Sequence, residues 1–229
     1  MNLSDLTQAV TPTLDGPVLA VLAASVRPLT VGEVAAEAAR GSDIGVRRSL
    51  ARLVDQGIVR ATIMGRNRVH ELNREHLAAP IAERLATLRS ELWRRFRETL
   101  ATWDPPPLYA AIFGSAARGD GGPESDIDLL LISPPFPDAK SPLTSPKSLN
   151  ALFPTAQPTK WREQVDQLRD SVQDWTGNYL QVLELSIDEW MQHRERKTPL
   201  LRDIQRDEIL LVKHSGVKFL KERDLGRLR

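Results

Sequence analysis

Residues 114–132 read GSAARGDGGPESDIDLLLI, and the reading of this stretch decides the fold of the chain's second half. A Gly-Ser pair closes the apolar run LYAAIF (108–113), and a glycine-rich passage follows. Two aspartates one residue apart, Asp126 and Asp128, then open the apolar run DIDLLLI (126–132). Short apolar runs bounded by Gly, Pro and Ser read as buried strands joined by a turn. On a strand, side chains two apart share a face, with Cα atoms about 6–7 Å apart. Asp126 and Asp128 therefore project together, while Ile127, Leu129 and Leu131 face the opposite, packed side.

Two adjacent carboxylates repel, and ionising both is unfavourable unless something positive compensates. A hard divalent cation would do so, and two such ions about 3.5–4 Å apart can clamp a phosphoryl transfer. The competing reading is a pair of acids decorating a solvated strand start. Gly114 and Ser115 favour the cation. Glycine lets the backbone approach closely, and the N–H groups that begin a following helix, with the serine hydroxyl, can hold phosphate oxygens. Gly119, Gly121, Gly122 and Pro123 turn the chain back toward the acids.

The 229 residues suffice for one large domain or two small ones. They are 41% hydrophobic and 27% charged, with a formal net charge of +1. That balance offers no global argument for nucleic-acid or membrane binding, so any basic surface is local. Cysteine is absent, which excludes disulfides and thiolate metal sites and fits a cytoplasmic location. The apolar stretch Pro17 to Val26 follows Asp5 and Asp15 with no Lys or Arg before it. It lacks the start of a signal peptide and falls far short of the roughly 20 residues of a membrane helix. The four histidines, His70, His76, His193 and His214, show no zinc spacing.

Along the N-terminal third, Gly16-Pro17 opens a core helix. Thr30 caps a second, with Glu33 three residues on completing a capping box, and Ser42 caps a third over 43–56. On that third helix Ile44, Val46, Leu50, Leu53 and Val54 form the apolar stripe, leaving Arg47, Arg48 and Arg52 on other faces. Gly57 stops it, and IVRATIM and RVHEL, joined by Gly65-Arg66-Asn67, read as a hairpin. Residues 15–72 resemble a winged helix-turn-helix, a likeness that makes 43–56 the recognition helix and the hairpin the wing. It implies DNA or RNA contact through Arg47, Arg48, Arg52, Arg60, Arg66 and Arg68. Against this, residues 1–80 carry nine arginines and eight acids, and a winged helix that docks only protein fits that balance too.

From Pro80 to Trp103, Ile81, Leu85, Leu88, Leu92, Phe96 and Leu100 recur at helical steps, and Pro105 to Pro107 end the helix. The proline- and serine-rich stretch 133–158 reads as an excursion. Helices follow at about 159–175, 187–196 and 199–205, with strands at YLQVLELS (179–186) and EILLVK (208–213). The predicted architecture is α+β, with a first domain over 1–79, a connecting helix over 80–103 and a mixed-sheet domain over 104–229.

Gly114-Ser115, ten intervening residues and then Asp126-Ile127-Asp128-Leu129 resemble the signature of the DNA polymerase beta-type nucleotidyltransferases. Ala117-Arg118-Gly119-Asp120 and Ser125-Asp126 are similar to its minimal nucleotidyltransferase branch. The resemblance spans about 85–213 and is sharp over 112–132. It implies a mixed sheet and a nucleoside triphosphate bound with two magnesium ions, manganese being an alternative. It also implies a third acid on a later strand, a position that Glu184 matches best, although aspartate is usual there. Asp188 and Glu189 are the fallbacks, and Asp120 and Glu124 read as loop acids. The family's pattern makes Asp126, Asp128 and Glu184 the catalytic and metal-binding set, and Gly114 and Ser115 the phosphate cradle. Arg118 and Lys213 are candidates to neutralise the triphosphate. The function implied is nucleotidyl transfer to a hydroxyl on protein, RNA or a small molecule. The alternative is a DNA-binding regulator or antitoxin-like protein whose second domain senses nucleotide or forms a homodimer.

Overall fold

The computed structural model describes residues 1–136, 156–196 and 198–214. Residues 137–155, most of the expected proline-rich excursion, lie outside the described residues. The chain divides into two units, Met1–Leu92 and the part from Trp93 onward. It is α+β: N-terminal helices with a small antiparallel sheet, one long helix, then a mixed sheet.

In the first unit a 3-10 turn at Leu6–Ala9 precedes α1 (Asp15–Ala24). Then come β1 (Leu29–Thr30), α2 (Val31–Glu37), α3 (Asp43–Asp55), β2 (Val59–Met64) and β3 (Asn67–Leu72). The capping box forms: Glu33 N donates to Thr30 Oγ1 (3.3 Å) and Thr30 N donates to Glu33 Oε2 (2.7 Å). Ser42 caps α3 by accepting from Gly45 N. Gly57 (φ +78°) and Gly65 (φ +62°) turn the chain at the end of α3 and at the hairpin tip. The sheet order is β1-β3-β2, all antiparallel. Val18, Leu22, Leu29, Val34, Val46, Leu50 and Leu53 form one core. Ile44, expected in that stripe, is instead 65% exposed. At 3.6 residues per turn, a position two residues before Val46 points nearly opposite to Val46, Leu50 and Leu53, so Ile44 faces away from the core.

Helix α4 (Ala79–Ala101) runs from the first unit into the second. The second unit continues with β4 (Tyr109–Phe113), α5 (Gly114–Arg118), β5 (Ile127–Ile132) and α6 (Pro158–Thr176). It ends with β6 (Leu180–Leu185), α7 (Ile187–Arg196), α8 (Pro199–Asp207) and β7 (Ile209–Lys213). The sheet order is β6-β5-β4-β7, with β5 and β6 parallel and the other pairs antiparallel. One face carries Leu130, Ile132, Leu183 and Leu185, which pack with Trp190, Leu201 and Ile204 of α7 and α8. The other carries Ile112, Leu129 and Leu131, all fully buried. Helix α6 lies on that face and is tied to α4 and the turn after it by edge-on Phe96–Trp175 and Trp103–Trp161 contacts (5.9 and 5.2 Å). Among the described residues, no helix is long and apolar enough to cross a membrane.

His70 on β3 is buried, and that burial pushes its pKa below the ordinary histidine value. The folded chain thus holds a neutral ring where the unfolded chain takes up a proton, so stability falls as pH drops below about 6.5. Melting followed by circular dichroism at pH 7.5 and 5.5 should show a larger fall in midpoint for wild type than for His70→Gln. Equal falls would contradict this origin.

Candidate active site

The site is built where β4 ends and β5 begins. Phe113, the last residue of β4, pairs with Asp128. Gly114 follows with φ +69°, and a Cβ placed on it would lie 2.4 Å from Asp128 Oδ2. The Asp128 carboxylate thus rests against the Gly114 backbone, which explains why glycine stands there for both conformation and space. Helix α5 closes after one turn, with Gly119 N and Asp120 N both donating to Ser115 O (2.9 and 3.1 Å). In the returning loop Gly122 N donates to Ser125 Oγ (2.9 Å).

Asn178, which the sequence reading passed over, anchors this loop. It is 2% exposed, and its Nδ2 donates to Pro123 O (3.1 Å) and Ser125 O (2.9 Å). Beside it Ile127 N donates to Tyr179 O (2.9 Å). The backbone immediately before Asp126 is therefore held to the start of β6. An asparagine directly after the turn glycine Gly177 (φ +73°) was the available signal.

Asp126 is exposed and Asp128 half-buried. Burial, reinforced by the neighbouring Asp126, raises the Asp128 pKa, and Arg118 partly offsets the shift. This is the electrostatic demand for a cation that adjacent carboxylates create. Their oxygens suit a hard divalent ion, which two carboxylates and substrate phosphates suffice to hold. Arg118 donates to Asp120 (2.9 Å) and Asp207 (3.2 Å). Arg206 grips Asp207 with two further bonds of 3.0 Å, which lower the Asp207 pKa. Asp207 closes α8 just ahead of β7, at the same end of the sheet as Asp128. The sequence reading missed it because 89 residues separate it from Arg118.

The structure does not bring Glu184 to this pair. In the parallel register of β5 and β6, Asp128 stands opposite Gln181 and Leu131 opposite Glu184. Opposed residues share a face, so Gln181 lies beside Asp128 and Glu184 on the α6 side, where it accepts from Trp161 Nε1 (2.8 Å). The expectation for Glu184 thus meets a two-residue periodicity that places it one step out of phase. Asp188 and Glu189 follow the far end of β6, and Glu189 is engaged as a cap on Ser186 (2.8 Å). Lys213 pairs with Tyr109, whereas Phe113 pairs with Asp128. It therefore sits at the other end of β4, about 13 Å along the strand. Among the described residues no three Asp, Glu, His or Cys side chains converge as a metal site.

In the first unit Arg47, Arg48 and Arg52 lie on the exposed face of α3, and Arg60, Arg66 and Arg68 on the exposed hairpin. Arg52 is ion-paired with Asp15, which also accepts from Ser49 (2.6 Å), and Arg60 is paired with Glu75 (2.6 Å). No ion pair engages Arg47, Arg48, Arg66 or Arg68 among the described residues.

Residues 93–198 match the family model of the nucleotidyltransferase domain. The matched segment contains β4 through α7, and with them Gly114, Ser115, Asp126, Asp128, Asn178 and Gln181. No curated protein matches the chain significantly.

Two substitutions probe the local construction. Gly114→Ala should lower unfolding free energy by about 2 kcal/mol or more, from the left-handed backbone alone, and displace the Asp128 carboxylate. Asn178→Ala leaves two loop carbonyls without their donor and should cost about 1–3 kcal/mol. Urea unfolding measures both; a change under about 0.5 kcal/mol in either would contradict the geometry.

Proposed function

We propose that the chain binds a nucleoside triphosphate with a divalent cation at Asp126 and Asp128 and transfers its nucleotidyl group to an acceptor hydroxyl. One observation carries this reading. Asp128 rests against Gly114 with the charge of Asp126 close by, inside the segment that matches the nucleotidyltransferase domain. Magnesium, or manganese, bound there would neutralise triphosphate charge and the charge that builds as pyrophosphate leaves.

The chain's own residues bind and orient. Gly114 and Ser115 present backbone and hydroxyl donors to phosphate oxygens. Arg118, already at the rim beside Asp128, exchanges exposed Asp120 for phosphate at a cost of about 0–1 kcal/mol, while Asp207 keeps Arg206. The acceptor oxygen bonds to the α-phosphorus as the bridging P–O bond to the β-phosphate breaks. Pyrophosphate departs with that electron pair, and the acceptor's proton passes to water. A protein hydroxyl, an RNA end and a small-molecule hydroxyl all meet the requirement.

For the first unit we read a winged helix-turn-helix that contacts nucleic acid. The order α1, β1, α2, α3, β2, β3 and the sheet order β1-β3-β2 support this, as do the unpaired arginines of α3 and the hairpin. Arg47, Arg48, Arg66 and Arg68 would contact phosphates, while Arg52 is tied to Asp15. A second reading, a nucleic-acid-binding regulator that senses nucleotide, is favoured by Gln181, not an acid, standing beside Asp128.

Purified protein with magnesium and each α-labelled triphosphate should label an acceptor in cell lysate. Asp126→Ala with Asp128→Ala should abolish both labelling and nucleotide binding while melting as wild type does; full labelling by the double variant would sink the mechanism. Duplex binding should weaken with salt, and each of Arg47→Ala and Arg66→Ala should lower the salt slope by about one. Unchanged slopes would assign these arginines elsewhere.

A further inference from the structure

We propose that Gln181 makes this a one-cation site: with the triphosphate, Asp126 and Asp128 hold a single divalent ion, and the described residues offer no ligand set for a second. The inference rests on the nucleotide-binding reading above and narrows it. Three side chains line this face at the open end of β5 and β6. They are Asp126 just ahead of β5, Asp128 within it and Gln181 directly across from Asp128, with Cα atoms about 4.8 Å apart. The face assignment has two independent supports. Leu130, Ile132, Leu183 and Leu185, which alternate in step with Asp128 and Gln181, pack into one core with α7 and α8. Glu184, out of step with them, bonds to Trp161 of α6.

Cation number follows from charge. Two carboxylates with triphosphate oxygens satisfy one hard cation. A second cation a few ångströms away would repel the first and needs further anionic oxygen, which a two-metal phosphoryl-transfer site draws from shared carboxylates. At position 181 the chain supplies a neutral amide, whose carbonyl is a weaker donor and cannot take up a proton near pH 7. Among the described residues no third acid converges with Asp126 and Asp128. Asp120 and Glu124 lie on the loop ahead of Asp126, Asp207 keeps Arg206 when Arg118 turns to phosphate, and Asp188 and Glu189 stand beyond the opposite end of β6. Gln181 is exposed on an edge strand, so an acid is tolerated there without disturbing the core.

The test counts ions in the full chain. Manganese binding is measured by electron paramagnetic resonance with the α,β-non-hydrolysable analogue of each ribonucleoside triphosphate in turn, and analogue binding by calorimetry. Wild type should hold one manganese per bound nucleotide. Gln181→Asp or Gln181→Glu should hold two, with the metal needed for half-maximal nucleotide binding lowered about tenfold. Glu184→Gln should stay at one, because that side chain lies on the α6 face. Two ions in wild type, or one in both acidic variants with unchanged melting, would overturn the proposal while leaving nucleotide binding standing. No analogue bound by wild type would overturn the underlying reading and this inference with it.

Discussion

The register of β5 against β6 is the constraint on which the candidate site depends. Because side chains alternate with a period of two, sliding one strand by a single residue would carry every β6 side chain to the other face. The core fixes the choice. Leu183 and Leu185 must join Leu130 and Ile132 over α7 and α8, and Val182 and Glu184 are left for the α6 side. Once those leucines are buried, Gln181 has to stand beside Asp128. The composition of the site is thus dictated by apolar packing several residues away from it, and no choice of rotamer can bring Glu184 back across the sheet.

A second dependence runs through the backbone. Asp128 approaches the chain so closely at Gly114 that any Cβ there would collide with its carboxylate. Asn178 holds the loop that delivers Asp126. Both arrangements position oxygen atoms by way of main-chain groups, which are stiffer than side chains. Burial first, and the neighbouring Asp126 second, raise the pKa of Asp128, so its charged form is costly to hold there. Rigid backbone support keeps that repulsion from being relieved by a simple swing of one acid away from the other.

Much of this was legible in the sequence. The strands and the Gly-Ser turn follow from short-range pattern, as do the Thr30 and Ser42 caps. What escaped depends on pairings remote in sequence. Whether Glu184 of YLQVLELS points at Asp128 is settled by register, and a strand with apolar residues at Leu180, Val182, Leu183 and Leu185 does not announce its inward face. Asp207 lies far along the chain from Arg118, and Asn178 looks like any turn residue until its two carbonyl partners are known. Ile44 was misplaced for a different reason: two residues before Val46, it lies nearly opposite the Val46, Leu50 and Leu53 stripe, and the 3.6-residue period itself excludes it.

Charge distribution carries the synthesis one step further. In the first unit arginines nearly balance acids, yet the balance is uneven in space. Asp15 and Glu75 occupy Arg52 and Arg60, and the unneutralised arginines fall at the start of α3 and in the β2–β3 hairpin. A near-neutral total therefore coexists with exposed arginines, Arg47, Arg48, Arg66 and Arg68, that no ion pair among the described residues neutralises. The rim of the candidate site uses the opposite device. Arg118 pairs with exposed Asp120, a contact that stabilises the fold little and exchanges readily, and shares the largely covered Asp207 with Arg206. Positive charge is thereby stored beside two carboxylates without collapsing onto them, poised where a triphosphate would draw it off.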